Sequence, residues 1–139
     1  MSASTQIRPD ATTAVANLIR FLETGIAPEG LFADNSFGDV SLPQWRLQSD
    51  TRDGVLAIRQ GGHPHPGRVH VSRVDPIDTG FVIEFEERWE ADGQHWYCRE
   101  MIRADVIGPT ITEMSVYCTG DWDEAQQRSH AETVRLLRP

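Results

Sequence analysis

The chain has 139 residues and a formal net charge of -8, with a pI near 5.0. That is long enough for one domain with its own core and wrong in sign for a nucleic-acid partner, whose phosphates need clustered Lys and Arg. No stretch approaches the ~20 consecutive apolar residues that span a bilayer, and residues 1–10 lack the apolar stretch of a secretion signal. The expectation is a single domain over residues 1–139, with 1–9 as a flexible N-terminus, no membrane partner and a cytoplasmic location.

In chain order, Asp10 to Thr24 reads as a helix. Val15, Leu18, Ile19 and Leu22 repeat at the i, i+3, i+4, i+7 spacing of one apolar stripe. Asp10 suits its start and Gly25 its end. A second short helix is predicted over Pro28–Ala33, then irregular or extended chain over 34–49, then a short helix over Asp53–Gln60. Gly61–Gly67 is a loop whose two prolines bar helix and central strand alike. Four strand-like runs follow, Arg68–Pro76, Gly80–Glu90, Gln94–Val106 and Thr110–Thr119, rich in Val, Ile, Thr and aromatics. Ala91-Asp92-Gly93 and Gly108-Pro109 mark turns between them. Asp121-Trp122-Asp123-Glu124 has the form of a capping box before a last helix that runs to about Leu137. Helices and strands are segregated, which is the pattern of an α+β fold. A long twisted sheet curls, and helices pack into its concave side. The expected result is a cone with a pocket.

Pairing the runs assigns side chains to faces, because directly opposed residues share one face. Folding the second run on the third sets Trp89 opposite Trp96, Glu87 opposite Cys98 and Phe85 opposite Glu100. Folding the third on the fourth sets Ile102 opposite Glu113, Glu100 opposite Ser115 and Cys98 opposite Tyr117. The two pairings agree: Glu87, Glu100 and Glu113 share a face with Phe81, Ile83, Phe85, Trp89, Trp96, Ile102 and Ile111. Carboxylates among apolar neighbours lose hydration, which raises their pKa and makes them candidates for proton transfer. If the first hairpin closes through Pro76–Thr79, Arg68 falls opposite Glu87. His70 then faces the pocket in one row with Phe85 and Glu100, roughly 10 Å from the latter.

The opposite face carries Val82, Glu84, Glu86, Arg88, Tyr97, Arg99, Met101 and Arg103, with Met114, Val116 and Cys118 beside them. Interface cores are enriched in aromatics, Met and Arg, so a homodimer through this outer sheet face is one reading and a partly solvated face the other. The two cysteines, Cys98 and Cys118, fall on opposite faces. That pairing leaves them as separate buried thiols with no disulfide. No metal site is expected, since two cysteines are too few for one of the Cys-pair type and the two histidines of His63-Pro64-His65-Pro66 do not complete one. No cofactor motif is present; Gly61-Gly62 follows a helix and opens none.

Two segments resemble the NTF2-like superfamily, which includes ketosteroid isomerases, SnoaL-like polyketide cyclases, scytalone dehydratase and limonene epoxide hydrolase. Leu31-Phe32-Ala33-Asp34-Asn35 is similar to the family's "lyadDa" segment, and Arg103 to Glu113 to its last hairpin. The likeness covers roughly residues 10 to 120. It implies an NTF2-like curved antiparallel sheet packed on N-terminal helices, to which this chain adds a C-terminal helix. From the isomerase branch it implies Asp39 as general base and Glu100 as a protonated acid that donates a hydrogen bond to developing negative charge. The branch's tyrosine on the first helix has no counterpart here, which argues against steroid isomerisation itself.

The catalytic candidates are therefore Asp39, Glu100 and His70. Ligand-binding candidates are Trp45, Phe85, Glu87, Trp89, Trp96, Glu113 and Tyr117, since pockets are mostly apolar with a few polar groups. One function class is a cofactor-free enzyme, an isomerase, cyclase, dehydratase or epoxide hydrolase, acting on a small and largely apolar molecule. The other is a non-catalytic ligand binder or dimeric accessory protein.

Overall fold

Apolar side chains three and four residues apart make the first element a helix, α1 (Pro9–Thr24), in the computed structural model, which describes residues 9–138. Residues 1–8 of the expected flexible terminus lie outside the described residues. Leu18 and Leu22 of the predicted stripe are buried with Ala11, Ala14 and Phe21, while Val15 and Ile19 are partly covered. Gly25 ends the helix at φ +75°, its N–H donating 2.7 Å to the Phe21 carbonyl, which is the left-handed cap that glycine favours.

The chain continues through β1 (Phe32–Leu42), β2 (Trp45–Ser49), α2 (Arg52–Gly62), β3 (Gly67–Ile77), β4 (Gly80–Ala91), β5 (Gln94–Ile107), β6 (Thr110–Cys118) and α3 (Glu124–Thr133). The expected helix over Pro28–Ala33 is replaced by a turn and the start of β1. The segment pairs with β6 instead: the Ile111 N–H donates 2.7 Å to the Leu31 carbonyl, and further along the buried Ser36 hydroxyl donates 2.8 Å to the Ile111 carbonyl. The six strands lie in the order β2-β1-β6-β5-β4-β3 in one curved, unclosed sheet. The sheet is mixed, since β1 runs parallel to β6 and all other neighbours are antiparallel. The fold is α+β, as the sequence predicts.

The core lies between α1, α2 and one sheet face. Phe81, Ile83, Phe85, Ile102, Ala104 and Ile111 are all at most 1% exposed. Gly38 lets α2 approach β1 closely, because a Cβ there would sit 2.9 Å from Val55 Cγ2. The β4–β5 hairpin turns at Asp92 and Gly93, both with positive φ, and pairs Trp89 with Trp96, Glu87 with Cys98 and Phe85 with Glu100, the predicted register.

The other two hairpins differ from expectation. β3 and β4 join through Asp78-Thr79, and a bulge between Val71 and Arg73 leaves Val69 opposite Glu87 and His70 opposite Glu86. His70 and Arg68 therefore lie on the outer face, exposed. β5 and β6 join through Gly108-Pro109, and a second irregularity between Asp105 and Val106 sets Glu100 opposite Cys118, Ile102 opposite Val116 and Asp105 opposite Glu113. That register is three residues from the predicted one, an odd number, so it exchanges the two faces of β6. Met114, Val116 and Cys118 point inward, while Glu113, Ser115 and Tyr117 point outward.

The last helix is shorter than predicted and has no buried residue. Asp123 is its N-cap, accepting 2.8 Å from the Gln126 N–H. It docks on the outer face of β5. Trp122 bridges Tyr97 through two backbone hydrogen bonds and packs edge-on to its ring at 5.4 Å, and Glu124 accepts 2.7 Å from the His95 N–H.

Candidate functional site

A cavity of about 280 Å³ opens between α1, α2, the β1–β2 ribbon and the inner face of β5 and β6. This is close to the lower end, about 300 Å³, of small-molecule sites. Its wall is mostly apolar, from Leu18, Phe21, Val40, Leu47, Ile58 and Val116 among others. The polar groups that interrupt it are Arg59, His63, Cys98, Glu100, Cys118 and Asp121.

Arg59 sits four residues after Val55 on the buried side of α2. Its side chain is 14% exposed and grips Glu87, only 3% exposed, in a fork: Nη2 donates 2.6 Å to Oε1 and Nη1 donates 3.0 Å to Oε2. Nη2 also donates 2.9 Å to the Leu22 carbonyl, tying the pair to the end of α1. Beside Glu87 on the next strand lies Glu100, 8% exposed. Its Oε2 is buried and has no hydrogen-bond partner.

Burial, then the neighbouring Glu87 carboxylate, raise the Glu100 pKa well above the carboxylate range. Burial also works to raise Glu87, but the hydrogen bond from Glu100 and the Arg59 guanidinium outweigh it and hold Glu87 low. Two carboxyl groups thus share one proton and one arginine. Glu87 is the anion, and Glu100 is the neutral acid, a residue that borders the cavity. This is the division of labour by environment that lets one carboxyl donate at neutral pH while its neighbour stays ionised.

Around this pair, burial lowers the His63 pKa and the Arg59 charge adds to the effect, so His63 is neutral. Its ring packs against Trp89 at 4.1 Å. Asp121, beyond the end of β6, is raised by partial burial and by Glu87. Cys98 and Cys118 share the inner face, contrary to the expectation of opposite faces, and both border the cavity. The thiol of Cys98 is pushed up by its hydrogen bond to Cys118 and by burial, while Cys118 is lowered by the same contact.

The structure brings together only part of the predicted set. Glu100 and Glu87 meet in the site. Phe85, Trp89 and Trp96 lie on the inner face as expected, with the two indoles stacked at 6.4 Å, but Phe85 and Trp89 are buried and Trp96 half-buried away from the cavity lining. Asp39 lies on the outer face of β1, where Arg46 holds it through bonds of 2.8 Å and 2.5 Å. Its neighbours Gly38 and Val40 are the ones that border the cavity. His70 and Glu113 are exposed on the outer face, and Tyr117 is 60% exposed there. Trp45 shares a row with Leu42 but is 65% exposed at the sheet edge. Sequence reading missed Arg59, His63, Asp121 and the pairing of the cysteines. An arginine in phase with Val55 and Ile58 was the available signal for Arg59.

No family model matches the sequence, and no curated protein matches it at a significant level. Solved structures do match. An NTF2-like protein from Anabaena variabilis aligns with TM-score 0.65 at 16% identity, covering 81% of this chain and 88% of that one. A protein of ketosteroid isomerase-like fold from Catenulispora acidiphila, solved with trimethylamine, aligns at 0.61 and 13%, covering 76% and 85%. An LEH-like epoxide hydrolase of M. tuberculosis aligns at 0.59 and 15%, covering 78% and 82%. Identities this low carry the architecture and no activity: the chain has the NTF2-like fold.

Proposed function

We propose that this protein binds a small, largely apolar molecule in the cavity and acts on it without a cofactor, with Glu100 as the proton donor. The observation that carries the reading is geometric. Glu100 borders the cavity and its Oε2 is buried and unpartnered, while the terminal nitrogens of Arg59 are committed to Glu87 and the Leu22 carbonyl. A buried polar oxygen without a partner is costly unless something else fills its hydrogen-bonding capacity. A substrate hydroxyl would do so by donating to it, and a carbonyl or epoxide oxygen by accepting from it once the proton turns from Glu87 to this oxygen.

In this reading the neutral Glu100 donates its proton, or a strong hydrogen bond, to that oxygen as negative charge develops. Arg59 and Glu87 fix the acid in place and keep it protonated beforehand. Asp121 and the neutral His63, which border the same cavity, are the groups available to accept a proton or to orient water. The roles first assigned to Asp39 and His70 pass to residues on the inner face. Isomerisation, cyclisation, dehydration and epoxide opening all use an acid so placed. The apolar wall favours a second reading, a ligand binder without turnover. A homodimer through the outer sheet face and a cytoplasmic location go with either reading. Exposed Met101 and Tyr117 support the dimer, and light scattering of the purified protein tests it.

The deciding experiment is Glu100→Gln against a panel of small cyclic ketones and epoxides. Binding is followed by thermal shift and products by mass spectrometry. The variant is expected to keep ligand affinity and to lose about 10²–10⁴ in turnover. Turnover unchanged in Glu100→Gln overturns Glu100 as the donor, and saturable binding with no product from the unaltered protein establishes the binder.

A further inference from the structure

Cys98, Glu100 and Cys118 converge on one point of the cavity floor, and the acid role uses only one of them. Cys98 precedes Glu100 by two residues on β5, and Cys118 lies directly opposite Glu100 on β6, so all three share the inner face. One ligand atom from each, two Sγ and a carboxylate oxygen, lie within 4.8 Å of one another. Cys98 is 1% and Glu100 8% exposed, and Glu100 Oε2 lacks any partner. The Gly120 N–H donates 3.3 Å to Cys118 Sγ, a contact that supports a sulfur carrying negative charge.

Two thiols this close could form a disulfide or clasp an ion, and the register decides between them. The strand position opposite Cys118 is taken by Glu100, so the cysteines are diagonal neighbours, typically ~7–8 Å apart with Cβ atoms somewhat closer. A disulfide needs its Cβ atoms about 3.8 Å apart. An ion bonded to both sulfurs at about 2.3 Å in tetrahedral geometry lets them stand nearly 4 Å apart. The acid at the third corner has no part in a disulfide and completes a ligand set.

We propose that Cys98, Cys118 and Glu100 form a binding site for a borderline-soft divalent cation of the zinc type, with the fourth coordination position facing the cavity. Each ligand binds as its anion, so the thiol and carboxyl protons pass to solvent as the ion enters. Two sulfurs select against hard ions such as Mg²⁺ and Ca²⁺. Three anionic ligands leave the loaded site with one net negative charge beside the internally neutral Arg59–Glu87 pair. Cation and proton compete for Glu100, so the loaded site and the acid are alternative states of one pocket.

The test titrates the reduced 139-residue chain with Co²⁺ and displaces it with Zn²⁺. One equivalent is expected, with a thiolate-to-cobalt charge-transfer band that Mg²⁺ does not disturb. Cys98→Ser and Cys118→Ser should each weaken binding by at least about 100-fold, the upper limit for loss of an outer-shell partner. Thermal unfolding and the paired Cys→Ala variants check that the proteins remain folded. A Co²⁺ spectrum of the unaltered protein without a thiolate band overturns the proposal. So does affinity that survives Cys98→Ser/Cys118→Ser, or that is lost instead in His63→Ala/His65→Ala.

Discussion

Arg59–Glu87 and Arg46–Asp39 are the same chemical object on opposite faces of one sheet. Both are two-point arginine–carboxylate forks with shortest contacts of 2.6 Å and 2.5 Å. Their surroundings differ. Arg59 is 14% and Glu87 3% exposed, whereas Arg46 is 64% and Asp39 16% exposed, so the outer pair keeps its cation in solvent. In water the Arg46–Asp39 pair replaces good hydration with an equally good contact and gains little. Inside, each partner of the other pair is indispensable to its neighbour, since a lone buried charge has nowhere to be solvated. Only the buried fork can also set the protonation of a third group, Glu100, because low dielectric lengthens the reach of a charge. Asp39 was the sequence's choice for a base, yet geometry as good as that of Glu87 gives it no such influence.

Breaking the buried fork has the largest expected effect. Arg59→Ala leaves Glu87 uncompensated beside Glu100 and should cost ~3–5 kcal/mol in urea unfolding. The pair Arg59→Met/Glu87→Leu should recover much of that loss, because removing both charges is often close to neutral. If the double variant is as unstable as Arg59→Ala, the cost arises from packing, including the bond to Leu22, and not from the orphaned carboxylate.

The next effect tests which face of β6 looks inward. Met114→Ala removes a side chain that is 6% exposed and should cost about 2 kcal/mol, the low end for such truncations because Met114 already borders a cavity. Tyr117→Ala, on the outer face, should stay within about 0.5 kcal/mol. The reverse ranking would restore the register expected from sequence. Smaller again is Asp39→Ala, which should leave the unfolding midpoint unmoved and the cavity chemistry intact, in contrast to any change at Glu87.

The legible parts of the sequence were those where local rules act alone. The β4–β5 hairpin has no bulge, so Asp92-Gly93 and simple counting put Phe85, Glu87, Cys98 and Glu100 where they lie. The stripe of α1 and the stop at Gly25 likewise depend on local spacing. β3 and β6 each carry an irregularity, near Ser72 and Thr112, that adds one residue to one strand and reverses all faces beyond it. Neither is marked by glycine. His70, Glu113 and Tyr117 were misplaced for this reason, and Cys98 and Cys118 were separated for it. β1 was illegible differently: it pairs in parallel with a strand whose partner residues lie 76 or more positions later, as Asp39 with Ser115, so nothing in its own turn chemistry announces it. Arg59 could have been found as a cation on an apolar stripe, but its partner is visible only once α2 is laid on the sheet.

The smallest predicted effect belongs to the exposed side, where α3 is tied to β5 through His95. Glu124 and Glu90 flank that imidazole at 3.1 Å each. The hydrogen bond to Glu124 comes first among the causes that raise His95 above 6.5. The His95 N–H and ring together lower Glu124 below 4.5, with Arg128 adding slightly. A raised histidine contributes fully below its ordinary value, and the contribution is lost as pH rises through the raised one. A lowered carboxylate contributes fully above its ordinary value, and the contribution is lost as pH falls through the lowered one. Attachment of α3 should therefore be tightest between pH 4.5 and 6.5 and loosen on either side. Hydrogen exchange of the α3 amides read across that range would show a protection maximum. The maximum should flatten in His95→Gln and in high salt, because exposed charges are screened within about 10 Å at 0.1 M. Protection that stays flat with pH would mean that the uncharged contacts hold α3, the Trp122–Tyr97 bridge and the Gln94 and Gln127 hydrogen bonds, leaving the outer face without a titratable contact that matters.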